Sequence, residues 1–226
     1  MSSIPETAQL GNHTVIEDDV VIGNNVSIGH NTVILRGTWI GDDVTIGNNC
    51  VLGIRPAVNQ RMRKSDNEDR QLIIQSGTKV GHLASVYSGT KIGRNVFIGD
   101  HASIRENVLI DDKSVVGRAA IVELNSKIGK FCTIQTLAYI TGDTTMEDNV
   151  FIGPCVSMSN DKYMGAKSFT LNGPLIKMGA KIGNNASLLP GVTIGRNSII
   201  GAGAAVTRDI ENNVTAAGVP ATKFNR

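Results

Sequence analysis

Aliphatic residues recur along this chain with a period of six. Residues 10, 16, 22, 28, 34, 40, 46 and 52 are all Leu or Ile. The phase breaks, resumes at Ile74 and runs every sixth residue to Met158, with only Ile, Val or Met in the lead position. After a second break it runs from Ile176 through Ile182, Leu188, Ile194 and Ile200 to Val206, which makes 29 hexads in all. The fourth residue after each lead is small or β-branched, as at Val20, Thr32, Cys50, Ala102, Cys132 and Ala204. Between them Gly is common, followed by Asn, Asp, Arg or His, residues suited to tight turns. A period of six does not fit an α-helix. Hairpin sandwiches do not require a fixed phase over such a length. Each hexad reads as one short strand and one turn, with the lead and the small residue pointing inward. Three hexads make one triangular coil, and coils stack through parallel β hydrogen bonds about 4.8 Å apart. No coil buries its own faces, so stacking supplies the core. The pattern predicts an all-β chain: a single-stranded parallel β-helix of nine to ten coils, one domain over residues 1–226.

The two interruptions fall at about 53–72 and 159–175, and a tail follows from about 212 to 226. Insertions in stacked repeats form loops, often on the binding face. Counting coils without the insertions places hexads 52 and 158 on the same edge, so both loops are expected to leave one corner. The first loop holds Arg55, Arg61, Arg63, Lys64 and Arg70 among Asp66, Glu68 and Asp69. Such arginines suit a nucleotide diphosphate, and the mixed charge suits a solvated loop equally. The four histidines, His13, His30, His82 and His101, share a different corner. They read either as exposed turn residues or as a titratable ladder at a subunit interface.

Composition narrows the picture. Lys and Arg number 22 against 20 Asp and Glu, so the charge balance points to neither nucleic acid nor membrane. One Trp, three Tyr and five Phe against 25 Gly suit a narrow aliphatic core. The three cysteines, Cys50, Cys132 and Cys155, show no metal spacing. Cys50 and Cys132 share one inward position and read as small core residues. Met1–Leu10 lacks the apolar stretch of a signal segment, no run is long enough to span a bilayer, and a cytoplasmic location is expected.

The repeat resembles the bacterial hexapeptide-repeat acyltransferases. The stretches DNVFIGPCVSMSND (148–161), IGNNASLLPGVTIGRNSIIGAGAAVTRD (182–209) and AAGVPATKF (216–224) resemble most the sugar-nucleotide N-acetyltransferase branch. The resemblance implies a left-handed sense, which the period does not give. It also implies a homotrimer with parallel axes, acetyl-CoA as cosubstrate between the C-terminal coils of neighbours, and a small acceptor, most plausibly a nucleotide-linked amino sugar. No metal is expected. The implied cofactor set is Gly201, Ala202, Ala204, Ala205, Arg208, Pro220 and Lys223, with Gly203 and Arg226 beside it. Small side chains would let a pantetheine arm approach the backbone.

Acyl transfer requires a positioned nucleophile, a proton acceptor if it arrives protonated, and an oxyanion donor. Many relatives use a His as the base, yet no His follows residue 101. The stretch that in similar enzymes carries Gln-Asn-Asn here reads Gln135, Thr136, Leu137. Two mechanisms remain. In one, an amine is held by Gln135, Thr136 or Asn160 without a protein base. In the other, His101 is the base. Asp161 and Asp143 are candidate partners for an ammonium group, and a solvated turn residue is the competing reading, favoured for Asp143. O- or N-acetyl transfer to another small acceptor, a carbonic-anhydrase-like protein and a non-catalytic scaffold are the alternatives.

Overall fold

The computed structural model describes residues 3–57, 59–60, 62–63 and 71–224. Each of the 29 hexads becomes a short strand, from Gln9–Leu10 to Ala205–Val206. In each strand the second residue is the lead aliphatic. From Ile22 to Val206 every lead is buried, with Ile34, Ile40, Ile74, Ile92 and Ile140 at 0 % exposure. The strands stack into three parallel sheets of 12, 10 and 9 strands. The register advances one coil at a time, as in Phe97 opposite Val115 and Val115 opposite Thr133. The result is a parallel β-solenoid of hexapeptide repeats, consistent with the left-handed β-helix that the resemblance implies.

Turn chemistry explains why a hexad bends where it does. In nearly every hexad the third residue after the lead lies in the left-handed region, and Asn or Asp is the commonest choice there, as at Asn25 (φ 56°), Asp43 (φ 56°) and Asn125 (φ 59°). The next side chain turns inward, where Val20, Val26, Cys50 and Ala120 are fully buried. Burying an aliphatic side chain contributes about 1.5–3 kcal/mol, and the core repeats that contribution coil after coil.

The solenoid is longer than the nine to ten coils expected, at about 11 turns. The hexad phase misses its ends. At the start Ser3 bridges Val21, and after the last hexad Ile210 bridges Ile194. Thr215–Ala217 then adds a strand to Ile199–Ile200, and Thr222–Lys223 folds back antiparallel on it. Part of the segment expected as a tail therefore closes the last coil. No helix among the described residues is long and apolar enough to cross a membrane.

Candidate functional site

Two corners of the prism carry different chemistry. The corner between the 12-stranded and 10-stranded sheets holds all four histidines. Here side chains form a ladder along the axis. The N–H of Asn12 donates to His30 Nδ1 (2.7 Å), and the N–H of His30 donates to Asn48 Oδ1 (2.8 Å). The N–H of Asn48 donates to His82 Nδ1 (2.9 Å), and that of His82 to Asp100 Oδ1 (2.8 Å). His30 and His82 thus serve as turn acceptors for the coil before. His13 and His101 occupy the left-handed position, at φ 59° and 58°.

Both insertions leave the next corner, between the 10-stranded and 9-stranded sheets. The first follows Val51–Ile54 and the second follows Ser157–Met158, strands of one sheet five coils apart. Between them stands a column that sequence reasoning missed. Tyr87, Arg105 and Glu123 recur once per coil. The Arg105 guanidinium lies 4.9 Å from the Tyr87 ring centroid. It donates from Nε to Glu106 Oε2 (2.9 Å) and from Nη2 to Glu106 Oε1 (3.2 Å), and it stands 3.7 Å from Glu123. Glu106 is 1 % exposed. Burial pushes the Glu123 carboxyl above the usual carboxylate range, against the pull of Arg105. Burial, with the Glu123 charge, also raises the Tyr139 phenol.

A second column runs beside it. Asn107 Nδ2 donates to Asn125 Oδ1 (3.4 Å), and Asn125 Nδ2 donates to Asp143 Oδ1 (3.3 Å). Asp143 also accepts a hydrogen bond from Arg63 of the first insertion. That ion pair corrects the expectation of a merely solvated Asp143. It carries the first insertion up the corner by about four coils, roughly 19 Å, past the Arg105–Glu123 column. Arg63 is therefore engaged rather than spare for a diphosphate. Arg55 lines a cleft with Ile16, Glu17, Asp18, Leu35 and Arg36 near the base of the same corner. Arg61, Lys64, Arg70, Asp66, Glu68 and Asp69 lie outside the described residues.

The expected catalytic residues do not converge within one chain. Gln135 and Thr136 lie on the histidine corner, two coils above His101, whereas Asn160 and Asp161 open the second insertion on the other corner. Asp161 organises that insertion: its Oδ1 accepts from the N–H of Tyr163 and its Oδ2 from the N–H of Gly165, both at 2.8 Å. Asn160 staples the neck, accepting from the N–H of Asn172 (3.0 Å) and donating to Gly142 O (3.4 Å). Asp161 therefore orders the loop backbone, each oxygen accepting one of those N–H groups.

Of the expected cofactor residues, Gly201 and Ala202 turn the histidine corner near the C-terminal end, with Ala202 exposed. Ala204 is a correction: it points into the core at 1 % exposure, so its side chain contributes packing and cannot line a groove. Ala205 is covered by the closing segment, its N–H donating to Gly218 O and its O accepting from the N–H of Ala221. Arg208, Pro220 and Lys223 are exposed, and Arg226 lies outside the described residues. Cys50 and Cys132 are buried as expected, and burial raises the Cys132 thiol to about 11. Cys155 is exposed at a turn. Among the described residues no cluster of three His, Cys, Asp or Glu side chains could hold a metal.

The bacterial transferase hexapeptide model (six repeats) matches residues 1–36, 19–53 and 173–208, the same hexads that form the stacked coils. What the model shares with the chain is the fold, a parallel β-solenoid of hexapeptide repeats. A GMPPB C-terminal domain model matches residues 69–169 of this β-helix protein. Galactoside O-acetyltransferase of Escherichia coli (strain K12) is 64 % identical over 39 residues, 17 % of this chain and 19 % of that protein. The chain thus matches about a fifth of the length of such curated relatives. The UDP-N-acetylglucosamine acyltransferase structure from Francisella novicida superposes with a TM-score of 0.51 at 15 % identity, covering 99 % of this chain and 68 % of that one, a likeness of fold. The PerB structure from Caulobacter crescentus, in complex with CoA and GDP-perosamine, gives a TM-score of 0.42 at 20 % identity over 68 % and 70 % of the two chains.

Proposed function

We propose that this β-helix protein is an acyl-CoA-dependent acyltransferase that moves acetyl from acetyl-CoA to the amino group of a nucleotide-linked amino sugar. The observation that carries the acyltransferase reading is sequence-level. A 39-residue stretch is 64 % identical to an acetyltransferase, and residues 173–208 match the transferase hexapeptide model. The two insertions on one corner support a small-molecule acceptor, because they wall a face otherwise flat.

In this reading acetyl-CoA lies along the C-terminal coils, against Gly201 and Ala202, with Arg208 and Lys223 toward its phosphates. Two copies are required to form the groove, in a homotrimer with parallel axes. Gln135, Thr136 and Asn160 would then meet across that interface, since they do not meet within one chain. The amine attacks the thioester carbonyl, the C–S bond breaks, and the thiolate of CoA takes up the amine's proton. Backbone N–H groups stabilise the oxyanion. A second reading, O-acetylation of a sugar hydroxyl, is favoured by the galactoside O-acetyltransferases among the relatives.

The test has two parts. Calorimetry is expected to show acetyl-CoA binding, weakened at least about tenfold, or 1.4 kcal/mol, by Ala202→Trp at the exposed turn. Thiol release from acetyl-CoA is then measured over a panel of nucleotide-linked amino sugars and their hydroxyl counterparts. No binding of acetyl-CoA sinks the acyltransferase reading. Turnover confined to the hydroxyl compounds selects O-acetylation.

A further inference from the structure

The two ends of the solenoid are finished differently. At the C-terminal end the closing segment continues every sheet. Ile210 bridges Ile194, Thr215–Ala217 extends the 12-stranded sheet, and the N–H of Ala221 donates to Ala205 O at the end of the 10-stranded sheet. Ile210, Ala216 and Ala221 are buried there, at 8, 0 and 1 % exposure. The N-terminal end has no such cover among the described residues. The 12-stranded sheet stops at Gln9–Leu10 and the 10-stranded sheet at Val15–Ile16, each strand with a neighbour on one side only. The 9-stranded sheet stops at the bridge between Ser3 and Val21.

The inward positions of this first coil are Ile4, Leu10 and Ile16, six residues apart. Ile4 and Leu10 are 42 and 44 % exposed and Ile16 is only partly buried, whereas every later lead is buried. Together they form an open cross-section of the core. A terminal repeat that meets water needs a polar outer face, and this one presents aliphatic side chains. The nearby charges stand off that surface, at one corner, where Arg36 lies 3.7 Å from Asp18 and 3.9 Å from Asp19.

The occupant follows from the other end. A head-to-tail stack would set this surface on the closed C-terminal end, whose sheet edges the closing segment already takes. The surface that matches it is the same end of a second copy, with the same triangular outline and the same free edges. Turned end over end, that copy circles the prism in the opposite sense, so facing edges run antiparallel, as Thr222–Lys223 runs against Thr215–Ala217. Antiparallel edges exchange N–H and C=O groups. Such a contact is isologous and closes at one pair.

We propose that the N-terminal end of the solenoid is an interface with a second copy of this chain, joined end to end through Ile4, Leu10 and Ile16. The inference does not rest on the transferase reading; the parallel trimer of that reading sets only the count, six copies with it and two without. In a trimer three ends face the same way, so three contacts form together and reinforce one another.

The experiment is sedimentation equilibrium of the full chain at micromolar concentration, with Leu10→Glu and Ile4→Glu beside the wild type. The wild type is expected as an even assembly. Each variant is expected to halve its mass, because the contact would bury an unpaired charge. A wild type of three copies or one overturns the interface. So does an even mass that both folded variants leave unchanged, or a mass that grows without limit as concentration rises. Amide exchange on the wild type gives a reading that needs no variant: residues 4–16 are expected to exchange more slowly in the assembly than after dilution, and equal rates overturn the interface. Six copies falling to three keeps the end contact and the trimer. Two falling to one keeps the end contact and sinks the trimer, while three copies in the wild type sinks the end contact alone.

Discussion

The histidine corner and the loop corner are built from the same hexads, yet they spend their polar residues differently. On the histidine corner His30, Asn48, His82 and Asp100 each accept one backbone N–H from the coil before. Those bonds satisfy the turns and ask nothing of a ligand. On the loop corner the side chains bond to one another: Arg105 to Glu106, Asn125 to Asp143, and Asp143 to Arg63. There one carboxylate is left over. The residue type most often associated with catalysis therefore performs turn chemistry, and residues that attract little notice in the sequence form the charged face.

The comparison breaks most visibly at Arg105. Removing one partner of a buried ion pair leaves an uncompensated charge and costs about 3–5 kcal/mol. Arg105→Ala strands Glu106, which is 1 % exposed, and is expected to lower stability by an amount of that order in chemical denaturation. His82→Ala removes one exposed acceptor and is expected to cost about 1 kcal/mol or less. Equal losses would erase the distinction between the corners.

Glu123 sharpens the comparison through pH. Burial raises its carboxyl above the ordinary value, so the folded state favours the neutral form. The stabilisation from protonation is present below the ordinary carboxylate range and is lost as pH rises through the raised value. At neutral pH the charge is a net cost, because burial and the Glu106 carboxylate outweigh the attraction of Arg105. Glu123→Gln is therefore expected to raise Tm modestly at pH 7 and to lose that advantage by pH 4. A fall in Tm at pH 7 would make Glu123 a net stabilising partner of Arg105 at that pH.

The first insertion gives a smaller effect. The Arg63–Asp143 pair is partly exposed, at 39 % and 21 % of the two side chains, and such pairs contribute about 0.2–1 kcal/mol. Arg63→Ala should leave Tm nearly unchanged and raise tryptic cleavage within residues 55–71 by up to about fivefold, the ratio that such an energy sets for local opening. Cleavage at the wild-type rate would show that the pair does not hold the insertion to the corner.

Much of this was legible. The phase of the lead aliphatics placed all 29 strands and put both insertions on one sheet, because a register slip would turn every lead outward. The closing coil was not legible, because Ile210 and Ala216 leave the hexad phase while keeping its geometry. The Arg105 column was legible in principle: Tyr87, Arg105 and Glu123 stand one coil length apart, as do Asn107, Asn125 and Asp143. It escapes a reading by residue types suited to a base, because its signal lies in pairs stacked by the repeat. Glu106 is harder, since a charged residue two places after a lead normally faces solvent. Only Arg105 on the same coil explains its burial.

The smallest expected effect concerns His101. It follows the strand Phe97–Ile98, and Gln135 follows Thr133–Ile134 two coils higher, or about 10 Å along the axis. Gly201 follows Ile199–Ile200, five coils above His101 and so about 24 Å away. Direct proton transfer needs about 3 Å. In a parallel trimer a neighbour's His101 lies at the same height, so assembly does not shorten the axial distance. His101→Asn is the clean variant, because Asn tolerates the left-handed backbone that His101 adopts at φ 58°. With the acceptor found by the thiol-release screen, kcat/KM is expected to change by less than about fivefold, well short of the ~10²–10⁴ that loss of a general base typically costs. A loss of that larger size would place the acyl carbonyl far lower on the prism, make His101 the base, and return chemistry to the histidine corner.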